Sequence, residues 1–219
     1  AIYHTLGNLD QAQNLHQQAL SLAETLQDRL EESSAASNLA LVLHDLGQDE
    51  QAREAAQRAL AIDQEIGDRL GQGYSLTAVA KALEGSGRYQ EAQTAYQEAL
   101  AVRRDIGQAA CAIDNLADLA RLALKQQDVV AAERLAEEAM AWINTHGIDG
   151  LEYPLDVLLI CAQTLAETGQ VRQARDTIEK AYTLLREQSR KISEEPLREA
   201  YLSDVPTHRA IQELYAQTK

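Results

Sequence analysis

The chain has 219 residues, of which 45% are hydrophobic and 25% charged, with a net charge of −14 and a pI near 4.7. This composition is ordinary for a folded protein, and so acidic a surface repels phosphate backbones and anionic lipid, which argues against nucleic-acid or membrane binding. No stretch of about 18 consecutive apolar residues occurs, so no membrane-crossing helix is expected, and two cysteines that read as free thiols fit a reducing, cytoplasmic location.

Proline is absent before Pro154, and the sequence is rich in Ala, Leu, Gln and Glu, so helix is expected nearly throughout. Phe is absent and small Ala residues recur, which suits helices packed closely side by side. Ile2 to Leu6 reads as the last turns of a helix that begins upstream, the expectation for a C-terminal piece of a longer protein. A helix follows from Leu9 to Leu26, with Leu15, Ala19, Leu22 and Leu26 on its inward stripe. Asp28 and Glu31 have the spacing of a capping box for the next helix. That helix runs to Leu46, turns Ala36, Leu39, Ala40 and Leu43 inward, and is broken by Gly47. The following helix carries Ala52, Ala55, Ala56, Ala59, Leu60 and Ile62 and stops at Gly67. Leu76, Val79, Ala80 and Leu83 line the next one, which ends at Gly87. Tyr89 to Leu100 leads to a stop at Gly107, and Leu116, Leu119, Ala120 and Ala123 line the helix after it. Its turn, Gln126-Gln127-Asp128, has Gln127 where a glycine is expected. Ala132 to Ile143 ends near Gly147. After the longer loop 147–154, Leu158, Cys161, Ala162 and Leu165 lead to Gly169, and Ala174, Ile178, Ala181 and Leu185 form the last long helix. Two short helices close the chain, one over Ser193 to Val205 and one begun by Pro206.

These parts recur. Gly7, Gly47 and Gly87 stand 40 residues apart, as do Ala12, Ala52, Ala92 and Ala132, and Ala19, Ala59, Ala99 and Ala139. A fixed period of 20 to 50 residues marks a solenoid. The expected division is a partial first repeat over 1–27, repeats over 28–67, 68–107, 108–147 and 148–191, and capping helices over 192–219. The caps would cover the last apolar face, as a solenoid requires for solubility.

The unit resembles the tetratricopeptide repeat (TPR), most clearly in Gly87, Tyr89, Ala92, Ala99 and Leu100. Each unit is 40 residues, about six more than the standard repeat, and units of this length look like those of kinesin light chains, cell-polarity scaffolds and bacterial regulators. The resemblance implies an all-α, right-handed superhelical solenoid of helix-turn-helix pairs. The tail from Leu197 to Ile211 looks like the ending of bacterial signalling ATPases of the STAND type, which carry such repeats C-terminal to a nucleotide-binding switch. That likeness implies a sensor or partner-recognition role.

In such a solenoid the first helix of each repeat lines the concave face. Its outward side is expected to present Ser34, Ser37, Asn38, Leu41 and Asp45, then Tyr74, Thr77 and Lys81, then Asp114, Asp118, Arg121 and Lys125, then Asp156, Leu159, Gln163 and Glu167. This row of amides, hydroxyls, one ring and both charges suits an extended peptide or a partner helix. Asp118 and Arg121 equally suit a simple intrahelical pair. The expected partner is therefore a protein or peptide, with no cofactor and no metal. Self-association through an uncovered N-terminal face, or a purely architectural role, is the alternative. Trp142, at helical spacing from Leu135 and Ala139, is expected in the core. Cys111 and Cys161 lie in apolar stretches without metal-ligand spacing and are expected as buried free thiols. His4, His16, His44, His146 and His208 are scattered, and neither a phosphate-cradling GxxxxGKS loop nor GxSxG occurs, so no enzyme chemistry is expected.

Overall fold

The structure, a computed structural model, describes residues 7–218. Those residues form eleven α-helices and no strand: α1 (Leu9–Leu26), α2 (Arg29–Asp45), α3 (Asp49–Ile66), α4 (Arg69–Gly85), α5 (Tyr89–Asp105), α6 (Ala109–Lys125), α7 (Val129–His146), α8 (Pro154–Glu167), α9 (Val171–Arg190), α10 (Glu195–Ser203) and α11 (Pro206–Gln217). The expectation placed on Ile2 to Leu6 lies outside the described residues. The chain divides into two compact units, residues 8–115 and residues from 116 onward.

The turns explain the even spacing. At the end of α2, Gly47 takes φ +73°. Its N–H bonds to the His44 carbonyl and the next N–H, of Gln48, reaches back to Leu43, both at 2.8 Å. This is a Schellman motif, which satisfies the last helix carbonyls while reversing the chain. The same pair of bonds recurs at Gln27 and Asp28, at Gly87 and Arg88, at Gly107 and Gln108, at Gln127 and Asp128, and at Gly169 and Gln170. Gln27 and Gln127 therefore hold left-handed backbone without glycine, at φ 56° and 63°. Asp28, Asp68 and Asp128 then cap the helices that follow by accepting from the N–H groups of Glu31, Leu70 and Ala131. The aspartate half of the expected capping box is thus present, and α2 ends one residue earlier than expected, at Asp45.

In the first unit, α1 packs on α2, α2 on α3, α3 on α4 and α4 on α5, with α2 and α4 also side by side. Alanine permits the close approach. Ala36, Ala52, Ala56, Ala59, Ala80, Ala82, Ala92 and Ala99 are at most 1% exposed, and Leu39, Leu43, Leu76 and Val102 fill the remaining space. The inward stripe expected on α1 is corrected. Leu15, Leu22 and Leu26 are 44%, 59% and 67% exposed, and Ala19 is exposed, while Ala12 and Ala23 are the buried positions. The apolar stripe is real, but α2 covers the alanine face beside it.

Polar groups also tie helices together. Asp63 of α3 is fully buried and accepts from Ser33 of α2 and, at 2.6 Å, from Ser75 of α4. Tyr96 donates to Glu84 at 2.9 Å. Arg103, 1% exposed, donates to the Cys111 carbonyl at 2.6 Å and lies over the Tyr74 ring at 5.0 Å. Arg58 of α3 pairs with both Glu24 of α1 and Glu32 of α2.

In the second unit, α7 packs on α8 and α8 on α9, and α11 lies against both α8 and α9. α10 starts two residues later than expected, at Glu195. Tyr182 and Tyr215 stack at 4.0 Å, Thr207 donates to Asp156 at 2.6 Å, and Tyr201 donates to Gln188 at 2.7 Å. Trp142 is a correction: it is only half-buried and stacks on exposed His146 at 4.7 Å. Cys111 is another, being partly exposed, whereas Cys161 is buried; both are free.

Candidate functional site

The expected face divides by burial. On α2 the residues Ser34, Asn38 and Asp45 are exposed and Leu41 is partly so, and on α4 Tyr74 and Lys81 are partly exposed. They form a continuous stripe on α2, at i, i+4, i+7 and i+11, with Tyr74 and Lys81 one repeat further along. Asn38 donates to the Ser34 carbonyl at 2.8 Å, and the Tyr74 ring is supported by Arg103.

Ser37, Thr77 and Asp114 are corrections, at 7%, 7% and 6% exposure. Thr77 donates to the Gly73 carbonyl at 2.9 Å and accepts from Asn115 at 3.0 Å, so it bridges α4 to the start of α6. In the second unit, Lys125 is exposed and Arg121 partly so. Asp118, only 5% exposed, is a further correction, and it pairs with Arg121 at 2.9 Å. Leu159 is buried as well, at 8%, while Asp156 and Gln163 are partly exposed and Glu167 is exposed. The common cause is the crowding of the first helices. Every residue from Ala112 to Ala120 of α6 is buried, as is every residue from Ser75 to Ala80 of α4. A helix covered on several sides has a narrower outward sector than amphipathic periodicity implies.

Several charged or polar residues with structural work to do were not singled out from the sequence. Burial pushes the Asp63 carboxyl above its ordinary range, opposed by the Ser33 and Ser75 hydrogen bonds. The hydrogen bond from Arg58 holds Glu32 below its ordinary range, with Arg29 adding to it. Burial pushes Cys161 up to about 12 and so keeps it a thiol. Burial lowers His208, whose Nδ1 faces the Tyr201 carbonyl at 2.6 Å. The signal for Asp63 and Arg103 was available. They stand 40 residues apart at the position that Ile143 fills in the next repeat, a charged residue on an otherwise apolar stripe.

A cleft of about 450 Å³ lies in the second unit between the end of α7, the segment after it, and α9. Ile143, Ile148, Leu158 and Leu184 contribute its apolar lining, and Glu179, Lys180, Thr183 and Glu187 lie along α9 beside it.

The family model described as Tetratricopeptide repeat matches residues 1–65 and 31–105, and a second model of the same description matches residues 156–180. The chain belongs to the tetratricopeptide-repeat family. A solved structure of nearly identical TPR-like repeats, described as a kinesin light chain of Podosopora anserina, is similar at 20% identity with a TM-score of 0.61, over 86% of this chain and 92% of that one. A Rap protein complexed with Competence and Sporulation Factor is similar at 16% identity and TM-score 0.66, over all of this chain and 62% of that one. Aspartyl phosphate phosphatase F from Bacillus subtilis is similar at 14% identity and TM-score 0.64, over 99% of this chain and 56% of that one. At these identities the likeness concerns the fold, an all-α TPR solenoid. No curated protein sequence matches the chain. Among the described residues of this TPR chain, no group of three or more His, Cys, Asp or Glu side chains is arranged to hold a metal ion. None of its described helices is long and apolar enough to cross a membrane.

Proposed function

We propose that this TPR chain is a protein- or peptide-binding module and that the outward face of α2 and α4 receives the partner. The observation that carries this reading is the stripe of Ser34, Asn38, Leu41 and Asp45 on α2 together with Tyr74 and Lys81 on α4, which stays at least partly open to solvent while the neighbouring middle turns of both helices, Ser75 to Ala80 among them, are buried. It combines amide and hydroxyl groups, both charges and a ring braced from behind by Arg103, the mixture that recognises backbone and side chains of a peptide. The similar Rap structure, which is described with a bound factor, supports the reading by analogy of fold alone. The wider reading, a sensor or recognition region of a bacterial signalling ATPase in the cytoplasm, rests on the sequence of the tail.

The test is a capture experiment from cell lysate with the whole chain beside a variant carrying Asn38→Ala, Tyr74→Ala and Lys81→Ala. A partner held by the parent and lost by a variant of unchanged helicity bears the proposal out. Equal capture by both rejects this face.

A second reading, self-association, is favoured by the exposed leucines of α1, joined by Leu30 at 54% exposure. Sedimentation of the parent and of Leu22→Lys/Leu26→Lys decides it. A dimer that the double substitution converts to monomer supports it, and a monomeric parent at high micromolar concentration removes it.

A further inference from the structure

We propose that the cleft between α7 and α9 is a second docking site, taking a branched apolar side chain flanked by two basic side chains from an extended segment of a protein partner. It belongs to the second unit, is lined by residues of α7, α8, α9 and the segment after α7, and does not depend on the assignment made above to α2 and α4.

The cleft follows from a break in the repeat. α3 and α4 are joined by Gly67 and Asp68 alone, whereas the segment from Gly147 to Tyr153 joins α7 to α8. The longer joint delays the start of α8 to Pro154, so α8 has 14 residues where α2, α4 and α6 have 17. α9 in turn extends to 20 residues. The groove between α7 and α9 is left with Ile143 and Leu158 as a buried floor and Ile148 and Leu184 as half-buried walls. A volume of about 450 Å³ falls within the range of small ligand sites and readily admits a leucine-sized side chain.

The rim states the charge of the guest. Glu179, Thr183 and Glu187 succeed one another at intervals of four along one face of α9, and all are exposed. Neither carboxylate has an ion-pair partner among the described residues. Elsewhere Glu32, Glu50 and Glu91 are each held by an arginine. The rim cation, Lys180, is turned aside to donate to Asn144 of α7 at 2.7 Å. Thr183 donates to the Glu179 carbonyl and so brings no charge of its own. Two uncommitted carboxylates therefore bracket an apolar floor, and they lie about 12 Å apart along the axis of α9. In an extended segment, residues i, i+2 and i+4 share one face and the outer two are about 13 Å apart. A Lys-x-Leu-x-Lys pattern thus sets an apolar side chain over Leu158 with an ammonium near each carboxylate.

The test uses the whole chain and a fluorescein-labelled peptide, Ser-Lys-Ser-Leu-Ser-Lys-Ser. Its binding is followed by polarisation and by ¹³C-methyl spectra of Ile143, Ile148 and Leu184. The expected result is saturable binding that shifts these methyls and weakens as salt is raised. Binding should weaken at least tenfold when the peptide leucine is replaced by serine, when both lysines are replaced by glutamate, or when the protein carries Glu179→Lys/Glu187→Lys. Both protein positions are exposed, so the double variant should keep the parent's circular dichroism. Equal binding by that variant, shifts confined to α2 and α4, or no shift of the three methyls at millimolar peptide would each overturn the proposal. Loss of lysate capture by the α2–α4 variant leaves peptide binding here untouched, so the two sites fail separately.

Discussion

At the scale of single residues, two buried carboxylates respond to acid in opposite senses. Asp63 is raised by burial, so the folded protein holds its proton more readily than the unfolded chain. The stability this contributes is full below the ordinary aspartate value and is lost as pH rises through the raised folded value. Glu32 is depressed by Arg58. Its contribution is present above the ordinary glutamate value and is lost as pH falls through the lowered folded value. Urea unfolding of Asp63→Asn and Glu32→Gln between pH 3 and 7 should give difference curves against the parent that bend in opposite directions; parallel curves would disprove the assignment. Asp63→Ala, which strips the Ser75 hydroxyl of its acceptor, should cost about 1–3 kcal/mol at neutral pH, and Asp63→Asn less. Gly71 offers a related test. A Cβ there would stand 2.5 Å from the Asp63 carboxylate and 2.6 Å from that of Asp68. Gly71→Ala should therefore lose about 1–3 kcal/mol through overpacking, where an ordinary helical glycine would gain about 0.5–1 kcal/mol.

At the scale of elements, the helices were legible in the sequence because glycine and alanine recur on a 40-residue period and most of the breaks, six of them, coincide with a Schellman turn. Which face of a helix meets which neighbour was less legible. The leucines of α1 mark an apolar stripe, and 3.6-residue periodicity reports a stripe without reporting what covers it. Thr77, Asp114 and Asp118 failed the other way. Their polarity suggested solvent, but helices enclosed on several sides bury polar groups that find partners, as Thr77 does with Asn115 and Asp118 with Arg121. The cleft beside α9 could not be read from the motif spacing either, although the longer loop 147–154 marks the place. The pair α10 and α11 carries its own prediction. His208 is kept neutral by burial, between the Tyr201 carbonyl, the tilted Tyr201 ring and nearby Asp156. Its contribution is present above the ordinary histidine value and is lost as pH falls through the lowered one. Protection against amide exchange in residues 195–217, corrected for the intrinsic rate at each pH, should fall from pH 7.5 to 5.5, and it should not do so in His208→Gln.

At the scale of the whole chain, the two units invite a test of independence. Gln27 and Gln127 occupy left-handed positions that glycine fills in neighbouring repeats, and they belong to different units. Gln27→Gly and Gln127→Gly should each stabilise by about 0.5–1 kcal/mol. Because they share no partner, the double variant should show the sum to within about 0.5 kcal/mol. A double variant no better than either single one would show that left-handed strain is not what these positions carry.

The buried Asp63 also bears on how freely such a chain can be cut and respliced. Turns on a 40-residue beat suggest that any unit can be removed and the rest rejoined in phase. Excising 68–107 would bring Asn115 to the place of Ser75, where its amide suits the carboxylate. The same splice would bring Cys111 to the place of Gly71, where a Cβ lies within 2.5 Å of that carboxylate. This joint accepts its own successor and rejects the one after it, so at Asp63 the order of the repeats is written into a contact as well as into the thread that connects them.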